Sequence, residues 1–338
     1  MAYFRRGYLF QKRRLRPEMR FLNTDSLRRN PIFTLAARRH PYLRHTAALH
    51  LHSLTRILWV LLPVVLIWVI IIGLVSLQTA VNASINNPYN SSIYTPAYIA
   101  GARYTVWLLI GGVALMVVQD VVAVVVSIST VRRTQVSNNT DLMRLTSLSS
   151  TAQITAKHGI AQLLSWRVML VAVGVRCGLM IIYTLQAAYI ALNDAPGALV
   201  MTSRLGSDLL ELLLDVVLFV LLNGVYILEP FWRLRAMTAL GINTTSRANH
   251  PNQAFLTGFG GMAAIWAGVI ALVVMEYMVV LVAGRFFFDR LDSIPQAVFQ
   301  FILPLSLVPI AVSIFLYYHL LTRWMLRRAM RAVEQVGQ

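Results

Sequence analysis

One cysteine, Cys177, stands in the whole chain, so no intrachain disulfide can form and no metal centre can be built from thiolates. Lysine is almost as scarce. Lys12 and Lys157 are the only two, and no Gly-x-x-x-x-Gly-Lys-Ser/Thr loop is present, so nucleotide hydrolysis on a loop of that kind is excluded for this chain. Neither a His-Glu-x-x-His helix nor a Ser/His/Asp elbow occurs, and nothing marks the chain as an enzyme. His40, His45, His50 and His52 lie among arginines that disfavour a metal ion, so no metal site is expected. A diheme site needs pairs of axial histidines inside apolar runs, and only His319 lies in one, near its end. No cofactor is expected in this chain, with His319 a weak candidate for a pigment or a lipid headgroup.

Charge is also sparse, and it is one-sided. Charged residues make up 13% of the chain, with 30 Lys and Arg against 13 Asp and Glu. Hydrophobic residues make up 57%, and the mean hydropathy is +0.64, which places the chain among integral membrane proteins. In a soluble protein a net charge of +17 would suggest nucleic acid. Here the arginines lie between and beyond apolar runs, where they set topology, so no nucleic-acid partner is expected.

Six apolar runs, near 56–79, 104–130, 168–192, 207–229, 262–284 and 297–322, are each long enough to cross about 30 Å of hydrocarbon. With both termini inside, 25 basic residues fall on the inner side, whereas the outer loops hold only Arg103, Arg204, Arg285 and Arg290. The expected fold is an all-α integral membrane protein of six transmembrane helices with both termini cytoplasmic. Residues 1–55 form a basic cytoplasmic arm, 56–322 the six-span domain and 323–338 a basic tail. No cleavable signal peptide is expected, because the first apolar run starts late and is too long for one. Within the arm, Asn30-Pro31 starts a helix in which Ile32, Phe33, Leu35 and Ala36 are apolar and Arg38 and Arg39 basic. That pattern predicts an interfacial helix held by anionic membrane lipid.

The polar stretch 131–167 separates the second and third runs. Thr140-Asp141 precedes a stripe of Leu142, Leu145 and Leu148 at helical spacing, and Ser150-x-x-Gln153 reads as a capping box. Two short helices lying across the membrane face are expected there. Inside the spans, ionisable groups cost roughly 2.5 to 3.5 kcal/mol each at the bilayer centre, so Asp120, Arg176, Glu211, Asp215 and Glu276 should face the bundle interior. Arg176 is expected to pair with Asp120, with Asp215 as the competing partner; Glu211 and Asp215, four apart, share a face. Gly174-x-x-x-Gly178 allows a close helix crossing.

Three segments carry a resemblance: Asn30-Pro31-Ile32-Phe33; the stretch after the second span, NNTDLMRLTSLSSTAQITAKHGIAQLLSWR; and LEPFWRLRAMTALGINTTSRA after the fourth. Together they resemble the permease subunits of type-2 ABC exporters, with Thr140, Leu145, Thr146, Leu148, Ile154 and Lys157 matching that family's inner-loop pattern. The resemblance implies a permease of a bacterial cytoplasmic membrane that pairs with a second permease. It also implies a separate ATP-binding subunit, to which Asp141, Leu142, Met143, Arg144, Leu145 and Lys157 couple. ATP would then be bound on that partner. Asn139, Ser147 and Ala156 depart from the pattern, and they support an alternative: a permease-derived structural or assembly subunit of a larger, energy-transducing membrane complex.

Overall fold

The computed structural model describes residues 30, 32–33, 36, 49–86, 94–136, 149–194, 205–288 and 296–336. Among them no strand occurs. Six long helices account for most of the described residues: α1 (Leu49–Asn86), α2 (Tyr94–Val136), α3 (Ser150–Asp194), α4 (Leu205–Arg247), α5 (Pro251–Phe288) and α6 (Gln296–Val336). Helices are what such apolar sequences must form, because in hydrocarbon only internal hydrogen bonds satisfy the backbone. Four stretches are long and apolar enough to cross a membrane: Thr55–Gln78, Ile99–Arg132, Ser150–Gln186 and Pro251–Val279. The chain therefore has the make-up of a multi-pass membrane protein.

The helices are longer than the apolar runs inside them. Helix α3 has 45 residues, which at 1.5 Å per residue is about 67 Å, roughly twice the hydrocarbon thickness. Two expectations change as a result. The second of the short helices foreseen in 131–167 is no separate element, since α3 runs unbroken from Ser150 through the third apolar run. Its cap is one residue earlier than the expected box: Ala152 N donates to Ser149 Oγ at 3.3 Å, while the Ser150 hydroxyl donates to Glu334 of α6 at 2.7 Å. The first of those short helices, with Leu142, Leu145 and Leu148, lies outside the described residues. In the same way α4 passes through Pro230 and ends at Arg247, so the loop expected after the fourth run is helix; Ala248, Asn249 and His250 alone link it to α5.

Helix α4 is central and packs on α2, α3, α5 and α6, while α1 packs on α2 and α3. Val131 of α2, Ile154 of α3, Ile242 of α4 and Ala329 of α6 form one buried cluster. Arg132, Arg247 and Arg327 lie on the same stretches, so this is the basic end of the bundle. From it α1, α3 and α5 run one way and α2, α4 and α6 return. Burial grades outward: half of the apolar window of α3 is buried inside the protein, but only 6% of that of α1 and 11% of that of α5. The outer faces of α1 and α5, with Trp59 and Leu74 or Met278 and Val282, suit contact with lipid.

The apolar side chains of Ile32 and Phe33 face protein. Ile32 and Phe33 are 6% and 3% exposed and pack on Ala156, Ile160 and Leu163 of α3. Asn30 locks the segment in place: its Oδ1 accepts from Ile32 N at 3.0 Å and its Nδ2 donates to the Ala152 carbonyl at 3.1 Å. Leu35, Arg38 and Arg39 lie outside the described residues.

The glycine pair of α3 meets α1 within the same chain. A methyl group on Gly174 would sit 2.7 Å from Val60 Cβ, and one on Gly178 2.7 Å from Val64 Cγ1, so two valines four apart fill the groove that the glycines leave. Gly174→Ala should therefore lower thermal stability of the purified protein by an amount equivalent to about 1 to 3 kcal/mol, as overpacking does. Adding Val60→Ala to the same chain should recover most of the loss.

Candidate functional site

Pro230 has no N–H, so the carbonyl one turn earlier, Tyr226, loses its helical donor. Arg176 of α3 supplies the replacement. Its Nη1 donates to the Tyr226 carbonyl at 2.6 Å, and its guanidinium stands over the Tyr226 ring, 4.6 Å from the centroid. The same Nη1 reaches Glu229 Oε2 at 2.8 Å. That contact counts as ionic, since Glu229 Oε2 takes no hydrogen bond.

Glu229 is held from its other side too. Arg233, one turn along α4, brings Nε to 2.6 Å from Glu229 Oε1, and Tyr318 of α6 donates its hydroxyl to the same oxygen at 3.1 Å. Arg233 also donates through Nε to Tyr318 Oη at 3.2 Å and reaches across to Asp120 Oδ2 of α2 at 3.5 Å. Asp120 Oδ2 accepts a shorter bond, 2.7 Å, from Trp266 Nε1 of α5, whose ring lies 5.3 Å from the Arg233 guanidinium. Gln119, next to Asp120, donates to the Pro230 carbonyl at 3.0 Å. Five helices, α2 to α6, each place at least one side chain in this network.

The charges balance as two arginines against two carboxylates. The four side chains are 5%, 6%, 0% and 13% exposed for Arg176, Arg233, Asp120 and Glu229, so the network is sealed within the bundle. Around it lies an apolar core of Ala123, Val124, Met169, Val173, Leu234, Met237 and Ile265. Desolvating ions is expensive, and only close pairing with full hydrogen bonding offsets it. Three acceptors of the network lack a hydrogen-bond donor: Glu229 Oε2, Asp120 Oδ1 and Gln119 Oε1.

Arg176 and Asp120, expected as partners, are both here but not as a pair. Glu229 takes Arg176 because Pro230 fixes the guanidinium beside α4, and Asp120 goes to Arg233 and Trp266. The sequence reading missed Glu229 and Arg233, taking Glu229-Pro230 as the end of a span. A signal was present: the two are four apart, and opposite charges at that spacing share one helix face. Glu211 and Asp215 belong to α4, but their side chains lie outside the described residues, and so does the proposed competition of Asp215 for Arg176. Glu276 of α5 is not brought to the network; it is half-buried, and its Oε2 has no hydrogen-bond partner.

Among the residues expected to couple to an ATPase, Asp141, Leu142, Met143, Arg144 and Leu145 lie outside the described residues. Lys157 is only 8% exposed. Beside it, His158 shares a hydrogen bond with the Arg235 carbonyl at 3.1 Å and with Gln162 at 3.0 Å, which ties this end of α3 to α4. His319 is stacked on Phe315 with centroids 5.6 Å apart. Among the described residues no group of three His, Cys, Asp or Glu is placed to hold a metal ion. No protein-family model, curated protein or solved structure matches the chain.

Arg233 touches both carboxylates, and its removal should be the most damaging single change. Arg233→Met leaves buried charge uncompensated and should destabilise the purified protein by about 3 to 5 kcal/mol. Combining it with Asp120→Leu, which removes the acid that loses its only close cation, should restore more than half of that loss on a thermal-unfolding scale.

Proposed function

We propose that the chain is a transmembrane permease subunit of the type-2 ABC exporter kind, crossing a bacterial cytoplasmic membrane six times with both termini inside. In this reading it works beside a second permease, and a separate subunit binds ATP. The observation that carries the reading is the seat of Asn30, Ile32 and Phe33 on the first turns of α3. These are two of the segments on which the resemblance rests, and Asn30, Ile32 and Phe33 join them into one folded unit. That unit directly follows the 137–148 segment, where the ATP-binding partner would dock through Asp141, Leu142, Met143, Arg144 and Leu145.

The sealed network supports the same reading from inside the membrane. It joins α2 to α6 near the middle of their length, so a displacement of α3 at the basic end meets a rigid cross-tie instead of separate helices. Direct partner contact by Lys157 is the weakest part of the coupling set, since its side chain is covered by the chain itself. Burial of Lys157 and of the Glu229-to-Arg233 turn also favours the second reading, an assembly subunit of a larger membrane complex, because neither is offered to a soluble partner.

Recovery of partners from native membranes separates the two. A tagged full-length chain should bring down an ATP-binding protein in near-stoichiometric amount. Asp141→Ala with Arg144→Ala should cut both that recovery and the stimulated ATPase rate by about tenfold, the loss of about 1.4 kcal/mol of contact. Recovery of electron-transfer or pigment subunits, with no ATP-binding chain, would overturn the permease reading in favour of the other.

A further inference from the structure

Arginine accumulates on one face of the bundle without acid to match it. Helices α4 and α6 run side by side in the same direction, fixed by an edge-to-face contact of Trp232 with Phe315 at 5.1 Å and by Phe315 stacked on His319 at 5.6 Å. One turn further on, α4 carries Arg235, and α6 carries Arg323, followed by Arg327, Arg328 and Arg331. The four arginines of α6 are exposed, whereas Arg235 is half-buried. Among the described residues none of the five makes a hydrogen bond through its guanidinium or an ion pair with an acid, and Arg328 is engaged over the Trp324 ring at 4.0 Å. Glu334, the one acid on this part of α6, accepts from Ser150. Burial and the Arg323 charge push the Arg235 guanidinium below its ordinary basicity.

A half-buried guanidinium with no acceptor is a costly arrangement unless something outside the chain supplies one. What lies below the cations says what that is. Leu316, Leu320 and Trp324 continue the same face of α6 at 44%, 60% and 48% exposure, an apolar strip that leads from the arginines toward the membrane interior. Trp324 stands at the boundary, where tryptophan collects in membrane proteins. A soluble anion would use the cations and leave the strip idle. A phospholipid uses both, with its phosphate on the arginines and its acyl chain along the leucines.

We propose that Arg235, His319 and Arg323, with Trp324 and Arg328 at the rim, form a binding site for the headgroup phosphate of an anionic phospholipid on the face assigned to the cytoplasm. Arg235 from α4 and Arg323 from α6 grip the phosphate between them, so the lipid bridges the two parallel helices next to the ion network. The site stands on α4 and α6 alone and is independent of any ATP-binding partner.

Native mass spectrometry of the full-length chain in neutral detergent tests this, with phosphatidylglycerol, phosphatidylcholine of the same acyl chains and inorganic phosphate as probes. Phosphatidylglycerol should be retained roughly tenfold better than phosphatidylcholine, and the preference should vanish in Arg235→Gln with Arg323→Gln. Arg331→Gln, further along α6, should keep it. If the double variant does not fold, Arg323→Gln alone changes only an exposed side chain and should still reduce the preference several-fold. Equal retention of the two lipids, or an unchanged preference in the folded variants, overturns the proposal. So does displacement of the lipid by millimolar inorganic phosphate, which would mark the site as one for a soluble anion.

Discussion

A carboxylate buried in an apolar bundle has to be neutralised at contact distance, and Glu229 meets that requirement with guanidinium groups on both sides. Arg176 comes from α3 at 2.8 Å and Arg233 from its own helix at 2.6 Å, with the Tyr318 hydroxyl of α6 completing the shell. Most of the long-range order follows from that one group. Arg176 needs α3 beside the second half of α4, Tyr318 needs α6 there, and Arg233, once aligned on Glu229, presents its remaining edge to Asp120 of α2. Trp266 then brings in α5. Removing water makes each contact stronger, and it also makes each unmatched partner expensive, so the five helices tolerate one relative arrangement far better than any other.

Pro230 is the local irregularity that makes the network possible. A proline inside a helix breaks one backbone bond, and in a buried apolar interior the freed carbonyl cannot turn to water. Here Arg176 takes it, so the guanidinium is pinned by a backbone acceptor before it meets any acid. The Pro230 carbonyl receives Gln119 as well. The break in α4 is thus closed by side chains from α2 and α3, and what looks like a span terminator in the sequence becomes the point where three helices are tied together.

Away from the network, close packing follows small residues. Gly174 and Gly178 let α1 settle on α3, and Gly241 lets α4 approach α2 until a methyl there would stand 2.6 Å from Ser127 Cβ. Such contacts are short-ranged and need no partner chain. The bundle is organised in this way from its centre outward, from the ion network through an apolar core and glycine-mediated crossings to α1 and α5, whose apolar faces are left to the bilayer.

The membrane class, the helical architecture and the one-sided charge follow from composition and hydropathy, because the bilayer dictates length, polarity and backbone satisfaction residue by residue. The involvement of Asp120 and Arg176 was legible for the same reason: charges in apolar runs must be turned inward. Their partners were not. Glu229 sits at the very end of the apolar run and Arg233 beyond it, where a charge normally means water, and only the continuation of α4 through Pro230 carries them into the interior. Ile32 and Phe33 likewise read as a lipid-facing pair until α3 is seen to supply an apolar groove of its own. Which charge meets which, and which apolar face meets protein instead of lipid, depends on where helices far apart in sequence come to lie, and on that hydropathy is silent.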